Sequence, residues 1–342
     1  MTQASFRFGR NALFLAGLED PAAEGVEVAL TVADNYIPVE GLFPPKDDYA
    51  VKNNRQDTLR GDYSIHTAPE ADAGHTANWA TKHIVQGSRN GLAYTLDAGV
   101  TLTNLPYDHA LMIGAGYTPV WDTVTSTLRY TLNTSLRDQA SLTEYYYVDG
   151  VLYKSVGVRT TFKETFAPGG MIMRDWTHDG LAIDVATVDT PTPVFDKSVN
   201  PNPGAILAKG VGCSIAGYSN LILRSFEFDT GNTFNKEPDA NAPDAIRPSR
   251  LGVRAPKWKA VIVAPKTSEK DFNLLRRTKA PVPMAWMTPG ATNHLKGFSA
   301  AAVRIEDLQT AFEANSTITY TLSGGCYDSE DGAGDAVTHI YG

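Results

Sequence analysis

Seven histidines, two cysteines and 38 acidic residues are the groups with which this 342-residue chain could do chemistry. The histidines are His66, His75, His83, His109, His178, His294 and His339. No pair has the i, i+4 spacing that puts two imidazoles on one helix face for zinc, and no cysteine clusters with them. His75 and His83 bracket Trp79, but that spacing is no metal-ligand pattern, so all seven read as ordinary surface or interface histidines. Gly212-Cys213-Ser214-Ile215-Ala216-Gly217 has one residue too many after the serine for a nucleophile elbow, so Ser214 reads as a strand or turn serine. Neither a phosphate-binding GxxxxGK[ST] loop nor a GxGxxG motif is present. Asp328 to Asp335 offers closely spaced oxygen ligands of the kind calcium takes, but the spacing is not an EF-hand and no closing glutamate follows. That run reads as part of a solvated acidic tail over 327–342. Arg60-Gly61-Asp62 is a tripeptide that occurs by chance. The reading is of a protein with no enzymatic activity, metal or cofactor. A glycosidase-like carboxylate pair stays open by counting alone, although the five tryptophans at 79, 121, 176, 258 and 286 are scattered.

The elements that must carry these residues are strands. The chain is 42% hydrophobic, ample for a core and for two domains of ordinary size. Thr, Tyr and Val are plentiful, 29 Gly and 20 Pro are spread widely, and long Ala/Leu/Glu/Lys stretches are missing. In Thr127–Asn133 and Thr317–Ser323 apolar residues fall at every second position, the pattern of a half-buried strand. Tyr145–Val148 and Val151–Tyr153 flank Asp149-Gly150, a two-residue hairpin turn that needs positive φ. Val26–Val32, Leu221–Phe228 and Trp258–Val263 are further strands, the last with a buried centre. Helix signals are confined to Thr267–Arg277, capped by Ser268 with Arg276 and Arg277 at its C-terminal end, and to Pro106–Gly114.

One short helix per half among strands predicts a mainly β protein of two tandem β-sandwich domains, 1–188 and 189–342. The boundary sits at Asp189–Pro203, where four prolines cluster. Asn235–Pro248 is another loop. Val158-Arg159 and Gly180 recur as Val303-Arg304 and Gly325, each 145 residues on, which suggests an internal repeat. Gly41–Trp79 is the largest irregular region, a packed loop suited to a partner surface. Arg7 and Arg10 precede a short apolar run closed by Glu19-Asp20, read as a first strand or arm and not a leader. No stretch approaches ~18 apolar residues, so no membrane-spanning segment is expected. Cys213 and Cys326 read as buried free thiols, as in a protein made in a reducing compartment. The formal net charge of −8, without a basic stripe, argues against a protein that grips nucleic acid.

Several segments resemble the tail tube proteins of long-tailed, non-contractile phages, in their larger duplicated form. The nearest is Ser141–Arg159, where a strand ends in Asp149-Gly150 and a second strand carries a small residue near its end. Phe162–Phe166, Met171–Trp176 and Asp179-Gly180-Leu181 continue as the strand pair closing a first domain. Ser225-Phe226-Glu227-Phe228-Asp229-Thr230-Gly231-Asn232 is similar to the strand and turn, at Gly231 and Asn232, that open the second. The likeness covers most of 80–326 in patches and does not extend to Gly41–Trp79 or the chain after Cys326. It implies a structural virion protein. Three subunits would close a pseudo-sixfold ring whose inner sheets join into a β-barrel lining, which removes open sheet edges. Stacked rings would form the conduit for DNA during genome ejection, with an acidic lumen to which DNA does not stick. The expected partners are further copies, the tape measure, the tail terminator and the distal tail or baseplate proteins. The expected location is the virion tail, assembled in the host bacterial cytoplasm. The expected ring-stacking residues are Phe43, Lys46, Asp47, Asp48, Tyr49, Arg55, Arg60, Asp62, Tyr63 and Trp79. Two other readings stand beside this one: another ring-forming tail component, such as a terminator or baseplate protein, and a glycan-binding or glycan-hydrolysing β-sandwich.

Overall fold

Period-two alternation becomes strand through most of the chain, and the protein is mainly β. The structure, a computed structural model, describes residues 12–40, 46–53, 70–87, 89–95, 101–135, 139–148, 150–187, 205–242, 246–290, 294–313, 317–330 and 333–342. Its elements in the first half are β1 (Ala12–Leu18), α1 (Val32–Asn35), β2 (Lys46–Asn53), β3 (Glu70–Ile84), β4 (Arg89–Thr95), β5 (Thr101–Leu105), α2 (His109–Gly114), β6 (Tyr117–Asp122), β7 (Thr127–Leu132), β8 (Leu142–Val148), β9 (Val151–Phe166) and β10 (Met173–Thr187). The second half adds β11 (Gly212–Ile215), β12 (Leu223–Asp229), β13 (Asn232–Asn235), β14 (Arg250–Arg254), β15 (Lys257–Val263), α3 (Phe272–Thr278), β16 (Val282–Met287), β17 (Lys296–Val303), β18 (Asp307–Phe312), β19 (Ile318–Tyr327) and β20 (Thr338–Tyr341).

Two large antiparallel layers face each other. The first runs β2-β3-β10-β9-β12-β15-β19-β18, and β9 also carries the β8-β1 pair. The second runs β6-β7-β20-β17-β16-β11. They join where Ala302 and Val303 of β17 pair with Tyr327 and Cys326 of β19. In each layer the first-half strands lie at one end and the second-half strands at the other. The halves meet at β9–β12 in the first layer and at β7–β20 in the second. One hydrophobic cluster runs through both. The expected boundary at Asp189–Pro203 lies outside the described residues, apart from its preceding strand.

Register sets the core. Across the first layer, His83, Arg174, Glu164, Phe228 and Trp258 are successive cross-strand partners. Across the second, Tyr130, His339, Phe298, Trp286 and Cys213 form a matching row. The rows meet ring to ring: Phe228 lies 5.1 Å from Phe298 and 5.3 Å from His339, and Phe226 lies 5.6 Å from Trp286. Such aromatic pairs add about 0.5–1.5 kcal/mol each beyond their burial.

Several expectations need correction. Gly41–Trp79 is not a loop throughout, because β2 and β3 pair across it. Val26–Val32 is not a strand; Gly25 and Val28 donate their N–H groups to the Glu19 carboxylate and the Thr143 hydroxyl instead of to a neighbouring strand. The helix expected from Thr267 starts one turn later, at Asp271, whose carboxylate accepts the Leu274 N–H at 2.9 Å. Residues 327–342 are not a solvated tail. Asp328 and Asp335 accept backbone N–H groups of Ala336 and Ser329, which folds the chain back so that β20 inserts, fully buried, between β7 and β17.

Two expected turns are informative. Val148 pairs directly with Val151, and Gly150 has φ +81, as a two-residue hairpin demands; Asp149 itself lies outside the described residues. Gly231 has φ +60, and a Cβ there would lie 2.1 Å from the Ala255 carbonyl oxygen, whereas nothing lies within 4 Å of one at Gly150. Both Gly→Ala changes carry a left-handed backbone cost, of order 1–3 kcal/mol. We expect Gly231→Ala to lose more stability than Gly150→Ala in urea unfolding, and equal losses would contradict the close approach.

Candidate functional site

The densest set of ionisable groups is one the sequence did not announce. Arg174 on β10 stands opposite Glu164 on β9, and its guanidinium bonds that carboxylate at 2.8 and 2.7 Å. It also bonds Asp108, the N-cap residue of α2, and donates to the Tyr341 hydroxyl at 2.5 Å. From the facing layer Lys296 lies 3.7 Å from Glu164 and donates to His339 Nδ1 at 3.2 Å. Its ammonium also sits 4.5 Å from the centre of the Tyr341 ring. All six side chains are buried. Two cations face two carboxylates, so the cluster closes neutral. Burial pushes Lys296 down to about 7, with Glu164 opposing. Burial, then Lys296 and Arg174, hold His339 well below its ordinary value. Burial opposes ionisation of Asp108, yet Arg174 and then His83 keep it below the usual carboxylate range.

A second constellation has the connectivity of a hydrolase relay. Thr81 Oγ1 lies 2.8 Å from His178 Nε2, and His178 Nδ1 lies 2.9 Å from Glu144 Oε1. A hydroxyl, an imidazole and an orienting carboxylate are the parts of a nucleophile and its base. Here they are 2%, 0% and 1% exposed, and the His178 ring is stacked on Trp79 at 5.5 Å and edged by Phe14. A reacting carbonyl needs a position about 3 Å from the hydroxyl. None of the three residues lines any of the grooves described below, and the triad ties β3, β10 and β8 together.

Four of the seven histidines are therefore not surface groups. His83, His109, His178 and His339 are buried because each finds a hydrogen-bond partner in the core, His83 on the Pro38 carbonyl and His109 on the Tyr130 hydroxyl. Cys213 and Cys326 are buried free thiols, both pushed up to about 12 by burial. Ser214 lies on β11. Among the described residues, no group of three or more His, Cys, Asp or Glu side chains is arranged to hold a metal ion, and no helix is long and apolar enough to cross a membrane.

Of the residues expected to stack rings, Phe43, Arg55, Arg60, Asp62 and Tyr63 lie outside the described residues. Lys46, Asp47, Asp48 and Tyr49 fall on β2, the end strand of the first layer. Trp79 is not on a loop surface: it is 6% exposed, inside β3. Gly231 lies between β12 and β13, its N–H donating to the Asp229 carboxylate at 2.8 Å, and Asn232 opens β13, its side-chain amide donating to the Ala115 carbonyl at 3.0 Å.

The surface offers sheet edges and grooves. At β1 the edge is covered, since Ile37 donates to the Phe14 carbonyl and Tyr36 bridges Leu15. In the second layer β6 carries Pro119, and β11 is only 4 residues long. The other end of the first layer, β18, has neither proline nor bulge and one charge, Asp307, with Phe312 77% exposed. A groove of about 860 Å3 lies beside β14 and the end of β19, and smaller ones lie beside Pro248 and beside Met171. Neither the known family models nor the curated proteins compared with this chain match it.

Two predictions follow from the cluster. Glu164→Gln strands Lys296 and half of the Arg174 guanidinium in the core, and removing one partner of a buried pair costs about 3–5 kcal/mol. Urea unfolding should show that loss, and a change under 1 kcal/mol would contradict it. Lys296 is protonated up to its ordinary 10.5 when unfolded but releases its proton near 7 when folded. Folding thus expels a proton, and stability rises with pH, between those values. Cys213 and Cys326 oppose the trend above the ordinary thiol value of 9. Stability should therefore climb from pH 7 to pH 9, and Lys296→Met should flatten that slope; an unchanged slope would assign it elsewhere.

Proposed function

We propose that this chain is a structural subunit that closes into rings and stacks as a tube, as its resemblance to phage tail tube proteins implies. The observation that carries the reading is β18. A row of unpaired backbone groups at a sheet edge is a template for another strand, and folded proteins ordinarily blunt it. Here the edges of the second layer are blunted and that of β1 is covered, while β18 is open. Glu313 donates to the Thr317 carbonyl, continuing the β18–β19 register. By the alternation of an antiparallel pair, the amides of Leu308, Thr310 and Phe312 then point away from the sheet. The first layer is the one that continues from copy to copy, with β18 of one chain meeting the far end of the next, and the second layer faces outward.

A head-to-tail joint of this kind closes into a ring when the rotation between copies permits. The two halves of the chain lie side by side in both layers, so three copies supply six similar wall segments. The partners on this reading are further copies, a tape measure, a tail terminator and distal tail or baseplate proteins. The place is the virion tail, assembled in the host bacterial cytoplasm. DNA passes through without specific binding, in keeping with the net charge of −8. A terminator or baseplate ring needs the same open edge and differs in not stacking on itself. The glycan-binding alternative has less support: Trp79, Trp176, Trp258 and Trp286 are buried and offer no stacking platform for sugar.

The test is Thr310→Pro. Proline is tolerated on an edge strand where its missing N–H faces solvent. We expect a variant as stable as the parent that forms no rings in negative-stain images, while the parent forms them. Rings from the proline variant would refute the edge joint.

A further inference from the structure

The strand β19 has an apolar knob at one end and an apolar groove at the other. At its start, Ile318 pairs with Phe312, and the two are 41% and 77% exposed. Ile222, 59% exposed, stands beside them, because the adjacent residues Val263 and Ala264 donate to the carbonyls of Ile222 and Ile318. Three large apolar side chains thus share one end of the sandwich. Scattered apolar residues are normal on a surface, but a contiguous set marks an interaction site. At the far end of β19, about 30 Å away at the usual rise per residue, Tyr327 and Cys326 wall the groove of about 860 Å3 with Leu251, Val253, Arg254 and Pro256.

The charges at the two ends correspond. Glu313 follows Phe312 directly, with Arg224 3.7 Å from its carboxylate. In the groove Arg254 donates Nη1 to the Asn133 carbonyl at 2.5 Å, while its Nε and Nη2 have no hydrogen-bond partner among the described residues. Its guanidinium has no carboxylate among the described ion pairs, and Asp328 lies on the groove wall. An apolar knob flanked by a carboxylate and an arginine therefore has, on the opposite end of the same molecule, an apolar groove holding an arginine and a carboxylate.

We propose that the occupant of this groove is the knob formed by Ile222, Phe312 and Ile318 of a second copy, with Glu313 meeting Arg254 and Arg224 meeting Asp328. The contact joins opposite ends of one strand direction, so it repeats by translation and does not close. It runs along the strands, whereas the β18 edge joint runs across them. It rests on the reading of this chain as an assembling subunit and gives the stacking contact residues of its own.

Cysteine cross-linking tests it in the full chain. Phe312→Cys and Val253→Cys are placed in the same chain and, separately, in two chains that are then mixed. Mild oxidation should give a ladder of multimers for the double variant and mainly dimers for the mixture. Val124→Cys, at a side chain 91% exposed and outside both surfaces, serves as the control partner for Val253→Cys. A second variant, Phe312→Glu, should form single rings without stacking and keep the parent's unfolding midpoint. Cross-linking no stronger than the Val124 control, or stacked tubes from Phe312→Glu, would overturn the contact and leave the ring reading standing. A parent protein that assembles in no form would overturn both.

Discussion

The fold depends on one physical problem and its solution: two cations and two carboxylates lie dehydrated between the sheets. Taking such charges out of water costs several kcal/mol each, and only close pairing recovers it. Arg174 is the hub. It reaches Glu164 on the adjacent strand, Asp108 at the start of α2 and Tyr341 on the last strand of the chain. Glu164 pairs within the same hairpin, whereas Asp108 and Tyr341 come from distant parts of the chain, so all must be in place before the whole cluster is satisfied. The aromatic residues around it, Phe162 at 4.7 Å and Tyr341 at 5.6 Å, hold the guanidinium against ring faces and exclude water.

That arrangement explains why the end of the chain returns to its first half. β20 places His339 and Tyr341 in the core and closes β7 against β17. The layers are then sealed along most of their length. The edge strand β18 lacks the usual protection among the described residues, and the two ends of β19 carry exposed apolar residues and a groove. On the proposed reading, an open edge suits a wall built from many copies.

Much of this was legible in the sequence, and the rest failed for identifiable reasons. Alternation found β7 and β19, β12 and β15 were expected as further strands, and the Gly150 turn was readable because positive φ leaves few choices of residue. The segment Val26–Val32 misled because strand-forming residues state a preference for strand, not the availability of a neighbour to pair with. The acidic run before β20 was read as solvated because its carboxylates are charged, yet Asp328 and Asp335 serve as turn acceptors. The charge cluster could not be found at all. Asp108, Glu164, Arg174 and Lys296 are spread over nearly two hundred residues, and only sheet register brings them together. One local signal was present: Arg174 and Glu164 each sit amid residues that alternate apolar, in the inward phase of their strands.

The central claim, that the first layer continues into another copy through β18, is tested most directly by hydrogen exchange at single-amide resolution on the concentrated parent protein. The account predicts that the amides of Leu308, Thr310 and Phe312, which face away from β19, exchange slowly and lose that protection on dilution. Exchange of these three amides at the free-peptide rate in a sample that has formed particles would contradict it.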